Sequence, residues 1–441
     1  MTKKSVIFIL ILLGIVFTGN VYAIETEEFG FVEIHGFISQ GYLISDENNF
    51  YAKTANGGTS QFNEVGINFK SNVSDRLRVG LQLFTRDLGQ LGNNEINVDY
   101  AFADYSFANW LNFRAGMVKL PYGLYNMERD VDMLRTFIFL PQSFYNEGWR
   151  DSANSLNGGG FYGYIPAGWL GSFSYNIYSG NTSVGTESGV VRMLESKVAT
   201  TMDLEVTGTD VDRTSAGTVA WETFFGLDGL KIVAGASEVV FDAAVEHNNL
   251  DGLVVPWIDP ENPTSSTGRY DVGRVNGVMN VNNFITSISL EYVFDNMVFA
   301  AEVAQNDLEF TYKNVFPNGG VVAYKTLGWY TSMTYRFTDW FELGVNYGEY
   351  YADKDDKNGN KSVQAQIAEG RPADNQYKQY QKDLTVAARF DLSETWAFKV
   401  EGHSINGGAL LLQDENKSDA LGYADYEPKW FLGAAKVSYS F

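Results

Sequence analysis

The chain has 441 residues, of which 54 are acidic and 32 basic, so its net charge is −22, and it contains no cysteine. The missing cysteine excludes a disulfide framework, a thiolate metal site and a cysteine nucleophile. The acidity excludes a nucleic-acid binder, because neutralising phosphates requires a basic face. At 45% hydrophobic and 15% aromatic residues, the chain is too apolar to be disordered.

The first 23 residues have the organisation of an export signal. Lys3 and Lys4 precede an apolar run over 6–17, and the segment ends in Val21-Tyr22-Ala23. A charged start, a short apolar stretch and a small-x-Ala ending are typical of a secretory signal peptide. A helix that spans a bilayer needs about 20 apolar residues. We therefore predict a signal peptide over 1–23 and a single-domain mature chain over 24–441.

The rest of the chain alternates apolar and polar residues with a period of two. In the segment 77–83, Leu77, Val79, Leu81 and Leu83 alternate with polar or small residues. The same alternation returns in 341–347 and in 384–390. It predicts β-strands with one apolar and one polar face.

The connections between these strands are alternately short and long. Seven short turns separate eight long connections, which fall near 46–59, 87–95, 119–157, 179–217, 242–282, 311–320, 353–378 and 407–427. The pattern predicts an all-β fold, a transmembrane antiparallel β-barrel of 16 strands, each of about 10 residues. Short periplasmic turns at one rim and long extracellular loops at the other are typical of bacterial outer-membrane barrels. In lipid, strands are viable only when the sheet closes on itself.

Aromatic residues also favour a membrane location. Trp110, Trp169, Trp340 and Trp396 each follow a short turn, where an interfacial aromatic belt is expected. The chain ends in an alternating strand that closes on Phe441. This ending resembles the recognition strand of outer-membrane barrels, which implies contact with the barrel-assembly machinery. We predict location in the bacterial outer membrane, in contact with its lipid and lipopolysaccharide.

Sixteen strands enclose more space than side chains fill, so we expect an aqueous channel. The long third loop, 119–157, is the candidate constriction. The candidate selectivity residues on this loop and the neighbouring strands are Arg78, Arg86, Arg114, Lys119, Glu128, Arg129, Asp130, Asp132, Arg135 and Arg150. Strand parity turns five acids of later strands into the lumen, namely Glu291, Glu302, Glu342, Asp383 and Glu401. A basic wall that faces acids predicts a transverse field, and charged rings set ion preference in channels.

The layout resembles the sixteen-stranded porins, whose third external loop folds into the barrel and narrows it. The stretch that starts Gly116-Met-Val-Lys-Leu-Pro-Tyr-Gly, together with Arg129-Asp-Val-Asp-Met-Leu-Arg135, is similar to the phosphate-selective porin O/P superfamily and to related porins that pass dicarboxylates. The resemblance implies a homotrimer. It also implies a channel lined by arginine and lysine side chains.

The sequence offers little support for catalysis or for a bound metal. His403 and Ser404 are adjacent on a strand, so they point to opposite faces and cannot pair. His35 and His403 are both interpreted as polar lining of the lumen. We therefore expect no catalytic residues, no cofactor and no dedicated metal site. Three long loops are acidic, and they are either solvated or bind divalent cations that bridge lipopolysaccharide. They are 179–217, 242–282 and 407–427.

We therefore predict an outer-membrane porin for passive diffusion of small hydrophilic solutes in a Gram-negative bacterium. The leading prediction is a preference for small anions such as phosphate or dicarboxylates, set by basic residues at the constriction. A general or weakly cation-selective porin is the alternative. A barrel-embedded hydrolase and a structural or adhesive barrel are less favoured.

Overall fold

The computed structural model describes residues 24–26, 30–150, 154–198, 203–248, 275–313, 320–368, 375–412, 414–416 and 426–441. The predicted signal peptide, 1–23, lies outside these residues, as do large parts of the acidic loops. No helix in the described part of the chain is long and apolar enough to cross a membrane.

One antiparallel sheet contains every strand that the described residues form. A short strand, β1 (Ile24–Thr26), precedes sixteen longer ones. These are β2 (Gly30–Ser45), β3 (Phe62–Asn72), β4 (Leu77–Leu88), β5 (Asn97–Ala108), β6 (Leu111–Lys119), β7 (Ser155–Pro166), β8 (Ser172–Asn181), β9 (Asp203–Glu222), β10 (Leu230–Asn248), β11 (Val275–Phe294), β12 (Met297–Lys313), β13 (Gly320–Thr338), β14 (Phe341–Tyr351), β15 (Tyr380–Asp391), β16 (Trp396–Gly407) and β17 (Lys429–Ser440).

The sixteen long strands close into a barrel. Each pairs with its successor along the chain, and β17 pairs with β2 through partners such as Lys436 and Gly41. The strand β1 adds onto the start of β2, where Ile24 lies opposite Val32. The predicted 16-stranded antiparallel barrel, with short turns at one rim and long loops at the other, is confirmed.

The outer wall of the barrel is apolar, as the period of two requires. Phe161 is 47% exposed and Ile177 is 57% exposed, and these two residues pair across β7 and β8 on the outward face. At the rim of short turns the four predicted belt tryptophans are all well exposed. An apolar surface around a whole barrel is far larger than the patches that water-soluble monomers expose.

The strands in the middle of the chain are longer than predicted. The expected length is about 10 residues, whereas β9 and β11 each have 20. The predicted loop 179–217 correspondingly shrinks to 182–202. A strand of 20 residues spans about 66 Å, which is roughly twice the hydrocarbon thickness of a bilayer. In the outer parts of these strands the alternation is reversed, with polar residues such as Asp242 and Asn280 outwards and apolar residues such as Phe241 and Val281 inwards, so these parts were interpreted as loop.

The long connections fold into the barrel and build apolar cores there. The segment after β8 contains helix α1 (Gly189–Val198), whose Val190 and Leu194 pack beside inward-facing Phe241 and Val281. A second helix, α2 (Asn360–Ala368), lies in the loop after β14. The interior is therefore not lined uniformly by polar residues. The inward faces of the long strands are apolar where a folded loop covers them, which parity alone does not reveal.

Candidate functional site

The connection between β6 and β7, residues 120–154, crosses the inside of the barrel over its described part, 120–150, and bonds to distant strands. Arg150 donates to Glu64 on β3 over 2.8 Å. The Ser143 hydroxyl donates to the backbone carbonyl of Trp329 on β13 over 2.9 Å. This connection, which we call the inner loop, is therefore attached to walls that are far apart around the barrel.

A single connected network of ion pairs fixes the inner loop. Its side chains are buried, with the partial exception of Arg135, which is 16% exposed. The bases are Arg86, Lys119, Arg129, Arg135, Arg150, Lys399 and Lys436. The acids are Glu64, Asp99, Asp130, Asp132 and Glu147. Buried charges require such pairing, because an unpaired ion in a low-dielectric interior is strongly unfavourable.

Glu147 is the first centre of this network. Its carboxylate lies 2.9 Å from Arg129, 3.4 Å from Arg150 and 2.5 Å from Arg86. Burial alone would raise the pKa of Glu147, but the three guanidinium groups outweigh it and hold that pKa well below its ordinary value. Glu147 is therefore ionised at any physiological pH.

Asp132 is the second centre, and it joins the inner loop to the last two strands. Its carboxylate lies 3.0 Å from Lys399 on β16 and 3.2 Å from Lys436 on β17, and Ser438 donates to it over 2.6 Å. Burial alone would raise the pKa of Asp132, but Lys399, Lys436 and Arg135 lower it far below its ordinary value. Both centres are thus carboxylates that several cations share.

The predicted lumen acids also face inwards, and four of the five bind the inner loop. Glu302 accepts hydrogen bonds from the Leu124 backbone and from the Tyr145 hydroxyl. The others accept from the Tyr125 hydroxyl (Glu291), the Thr136 hydroxyl (Glu342) and the backbone of Ile138 and Phe139 (Glu401). These acids therefore act as hydrogen-bond acceptors that attach the inner loop to the wall, a role that the predicted transverse field did not include.

Asp383, the fifth lumen acid, belongs to a separate buried group. Its carboxylate lies 2.9 Å from Nδ1 of His403, and Nε2 of the same ring lies 2.8 Å from Glu401. Thr385 lies 3.1 Å from Nδ1. His403, Glu401 and Thr385 are each at most 5% exposed, and Ser404 is exposed on the opposite face of the strand.

Arg78 and Arg114 form a second charged cluster, nearer the rim of short turns. Both donate to the single carboxylate of Asp104, over 2.5 Å and 3.0 Å. The Arg114 guanidinium also lies over the rings of Phe102 and Tyr162, with its carbon 4.3 Å and 4.8 Å from their centroids. Arg78 keeps 38% of its side chain exposed. Two guanidiniums that share one carboxylate leave this part of the wall basic.

The structure brings most of the predicted selectivity residues together. Arg86, Lys119, Arg129, Asp130, Asp132, Arg135 and Arg150 all lie in the network. Glu128 does not, because its carboxylate forms no ion pair with any described residue, and burial raises its pKa.

Sequence reasoning did not predict the whole network. Strand parity turns Lys399 and Lys436 inwards but does not predict that they bind the inner loop, and Glu64 occupies an inward position that the same parity would have found. Asp99 is different, since it lies at a register shift between β4 and β5, a feature that alternation does not predict.

A cleft of about 440 Å³ reaches the network from the side of the long loops. Its walls include Arg86 and Arg150, and also the acids Glu95, Asp99 and Glu187. The described residues contain no group of three or more acidic, His or Cys side chains that could hold a metal ion.

Comparison with solved structures shows the type of fold. The outer-membrane channel DcaP of Acinetobacter baumannii matches with a TM-score of 0.53 at 12% identity, over 96% of this chain and 100% of the other. An anion-selective porin from Comamonas acidovorans matches with a TM-score of 0.52 at 14% identity, over 93% and 99%. The trimer form of OmpT of Vibrio cholerae, folded in vitro, matches with a TM-score of 0.50 at 11% identity, over 93% and 99%.

Comparisons of the sequence give no match. No family model matches this chain, and no curated protein does. At these identities the structural matches establish the architecture, because a fold can host unrelated functions. The chain therefore has the fold of the bacterial outer-membrane porins.

Proposed function

We propose that this protein is an outer-membrane porin through which small hydrophilic solutes diffuse passively, with a preference for small anions such as phosphate or dicarboxylates. The observation that carries the channel proposal is the inner loop, held across a closed barrel by buried ion pairs. Such a loop narrows the lumen without needing any conformational change. The porin fold of the structural neighbours supports the same proposal.

The surface supports placement in the outer membrane. A closed barrel leaves no unpaired strand edge, and its outward face is apolar, so lipid can surround it. We propose export by the signal peptide 1–23, recognition of the last strand by the barrel-assembly machinery, and contact with lipopolysaccharide. We also propose a homotrimer, since one structural neighbour was solved in a trimer form. Unboiled protein should then run as a heat-sensitive oligomer on a denaturing gel.

The anion preference rests on the cluster of Arg78, Asp104 and Arg114. Two cations share one carboxylate there, and Arg78 remains partly exposed to the lumen. A guanidinium pair also suits phosphate and carboxylate groups, which accept two parallel hydrogen bonds. Small anions would therefore gain more from this wall than cations do.

A weakly cation-selective porin is the second candidate. The cleft on the long-loop side has three acids, Glu95, Asp99 and Glu187, against the two bases Arg86 and Arg150. Both of those arginines are already paired with carboxylates of the network. If the cleft dominates selectivity, cations would enter more readily.

Passive diffusion needs no catalytic group, and we propose that the protein is not an enzyme. The arrangement most similar to a catalytic triad is Thr385, His403 and Glu401. Burial of all three leaves a substrate no access to the hydroxyl, so their proposed role is to hold the inner loop through Glu401.

The reversal potential across a planar bilayer in a KCl gradient tests this proposal. We expect an anion-selective conductance whose chloride-to-potassium permeability ratio falls several-fold in the double variant Arg78→Gln, Arg114→Gln. Arg213→Gln is the matched control, because Arg213 pairs with Glu238 and is 61% exposed. It lies on the outward face next to inward Thr214.

Two outcomes would contradict the proposal at different levels. A cation-selective conductance that the double variant leaves unchanged would refute the anion preference and favour the second candidate. Correctly folded protein that inserts but never conducts would refute the channel itself.

A further inference from the structure

A partly open pocket lies inside the barrel, on the side of the inner loop that faces the long strands. It has a volume of about 90 Å³ and is bounded by the inner loop, helix α1 and the inward faces of β10 to β13. Most of its wall is apolar, with Val239, Phe241, Val281, Leu308 and Leu194 among the lining residues. The pocket shares no lining residue with the cleft that reaches Arg86, so the two are separate sites.

Several polar side chains interrupt this apolar wall, and three of them have an atom without a hydrogen-bond partner. They are Arg129 (Nε), Asn146 (Nδ2) and Asn283 (Oδ1). All three are at least nine-tenths buried, with exposures of 3%, 6% and 5%. A buried polar atom that lacks a partner is unfavourable by about 1 to 3 kcal/mol, so such atoms are rare in native proteins.

The other hydrogen bonds of two of these groups fix which atoms remain free. The Asn146 Oδ1 accepts from the backbone of Gly148 over 2.8 Å and from the Tyr51 hydroxyl over 3.2 Å, which leaves the amide NH₂ as the free end. The Arg129 Nη2 donates to Glu147 and to two backbone carbonyls, whereas its Nε has no partner. The pocket therefore offers two donors from the inner loop and one acceptor from the wall of β11.

We propose that this pocket binds a small neutral amphipathic molecule that has both a hydrogen-bond acceptor and a donor, such as a short-chain primary amide. Its carbonyl oxygen accepts from Asn146 and Arg129, its amide NH₂ donates to Asn283, and its alkyl chain packs against the valine and leucine side chains. An engineered apolar cavity of about 150 Å³ holds benzene. By proportion, a pocket of about 90 Å³ holds about four non-hydrogen atoms. Its open side leaves room for the end of a slightly longer alkyl chain.

The preference for a neutral ligand follows from the charges already present. Glu147 already lies 2.9 Å from Arg129, so a carboxylate in the pocket would be a second anion beside the same guanidinium. A carboxylate also has no proton to donate to Asn283. An ammonium group would face two unpaired donors. An amide satisfies all three free atoms without introducing a charge into an apolar enclosure.

Calorimetric titration of the purified protein in lipid nanodiscs tests this proposal, with empty nanodiscs as the blank. The probe is butyramide, compared with butyrate and butylamine at the same pH. We expect saturable binding of butyramide in the millimolar range and at least tenfold weaker binding of the two ions. The variant Asn283→Leu, which keeps a similar size but removes the acceptor, should weaken butyramide binding at least tenfold.

Asn346→Leu is the matched control. Asn346 lies on β14, is 4% exposed and also has an unpartnered Oδ1, but it does not line the pocket. Heat-modifiable migration on a gel verifies that each variant forms a barrel. Binding that survives in Asn283→Leu, equal losses in the two variants, or equal binding of butyramide and butyrate would each overturn the proposal. No outcome depends on conductance, so the channel proposal stands or falls separately.

Discussion

Replacement of Asp132 by Asn tests whether the ion network holds the inner loop in place. Asn keeps the shape of the side chain but removes the charge that Lys399 and Lys436 share, and the side chains of both lysines are 1% exposed. Breaking a buried ion pair on one side typically destabilises by about 3 to 5 kcal/mol, because the remaining charge stays buried without compensation. The barrel keeps its strand pairing, so the loss should appear as detachment of the loop. At about 1.4 kcal/mol per factor of ten, the detached population rises by roughly two to three and a half orders of magnitude.

Limited trypsin digestion of the folded barrel measures this detachment. The inner loop contains three cleavage sites, Arg129, Arg135 and Arg150, which are buried or nearly so. When opening is fast, the cleavage rate follows the open population. We expect slow cleavage of the wild type and at least hundredfold faster cleavage of Asp132→Asn. Glu128→Gln is the matched control, since it alters a carboxylate of the same loop that lies outside the network. Equal cleavage rates in wild type and Asp132→Asn would refute the view that the network anchors the loop.

Three further perturbations follow from the same geometry. Acid should detach the inner loop, because docking lowers the pKa values of Asp132 and Glu147. Their contribution to the stability of the docked loop is complete above the ordinary carboxyl pKa of about 4 and declines as the pH falls below it. Pepsin cleavage of the loop should therefore rise steeply between about pH 4 and pH 2. Gly328→Ala should weaken docking of the inner loop by about 1 to 3 kcal/mol, because an added Cβ collides with the Ser143 carbonyl oxygen. Faster tryptic cleavage would report this loss. Glu302→Gln should weaken docking by about 2 to 3 kcal/mol, because an amide cannot accept all the bonds that the carboxylate accepts, and the same cleavage assay measures it.

Each of these perturbations has its own control. Pepsin cleavage of a denatured chain corrects for the enzyme's own pH dependence, and a constant ratio between folded and denatured rates would contradict the acid prediction. Gly208→Ala has only a distant neighbour for its new Cβ, so it should change nothing. Glu302→Asp, which keeps the charge but shortens the side chain, should separate lost charge from lost reach. If Gly328→Ala or Glu302→Gln is cleaved as slowly as the wild type, the prediction for that variant is wrong.

The barrel itself was predictable from the sequence, because strand alternation and connection length are local properties. A lipid-facing wall demands an apolar residue at every second position, so even Arg78 and Arg114 could be assigned to the interior from their neighbours. The third loop stood out for its length alone. The lengths of β9 to β13 were not predictable, because outside the membrane the outward face of a strand meets water and the inward face packs against folded loops, so the pattern expected in lipid is lost.

Which residues bind one another was decided only by the tertiary structure. Glu64 and Lys436 are 372 positions apart, and Asp132 reaches Lys399 across 267 positions; only closure of the sheet places these groups together. The sequence by itself determined that the chain is a barrel, which residues face inwards, and which loop enters the lumen. The tertiary structure decided that the inward acids and bases neutralise one another around that loop. Whether a side chain faces inwards depends on its neighbours along the chain. Which side chains form ion pairs depends on the register of every strand against the next.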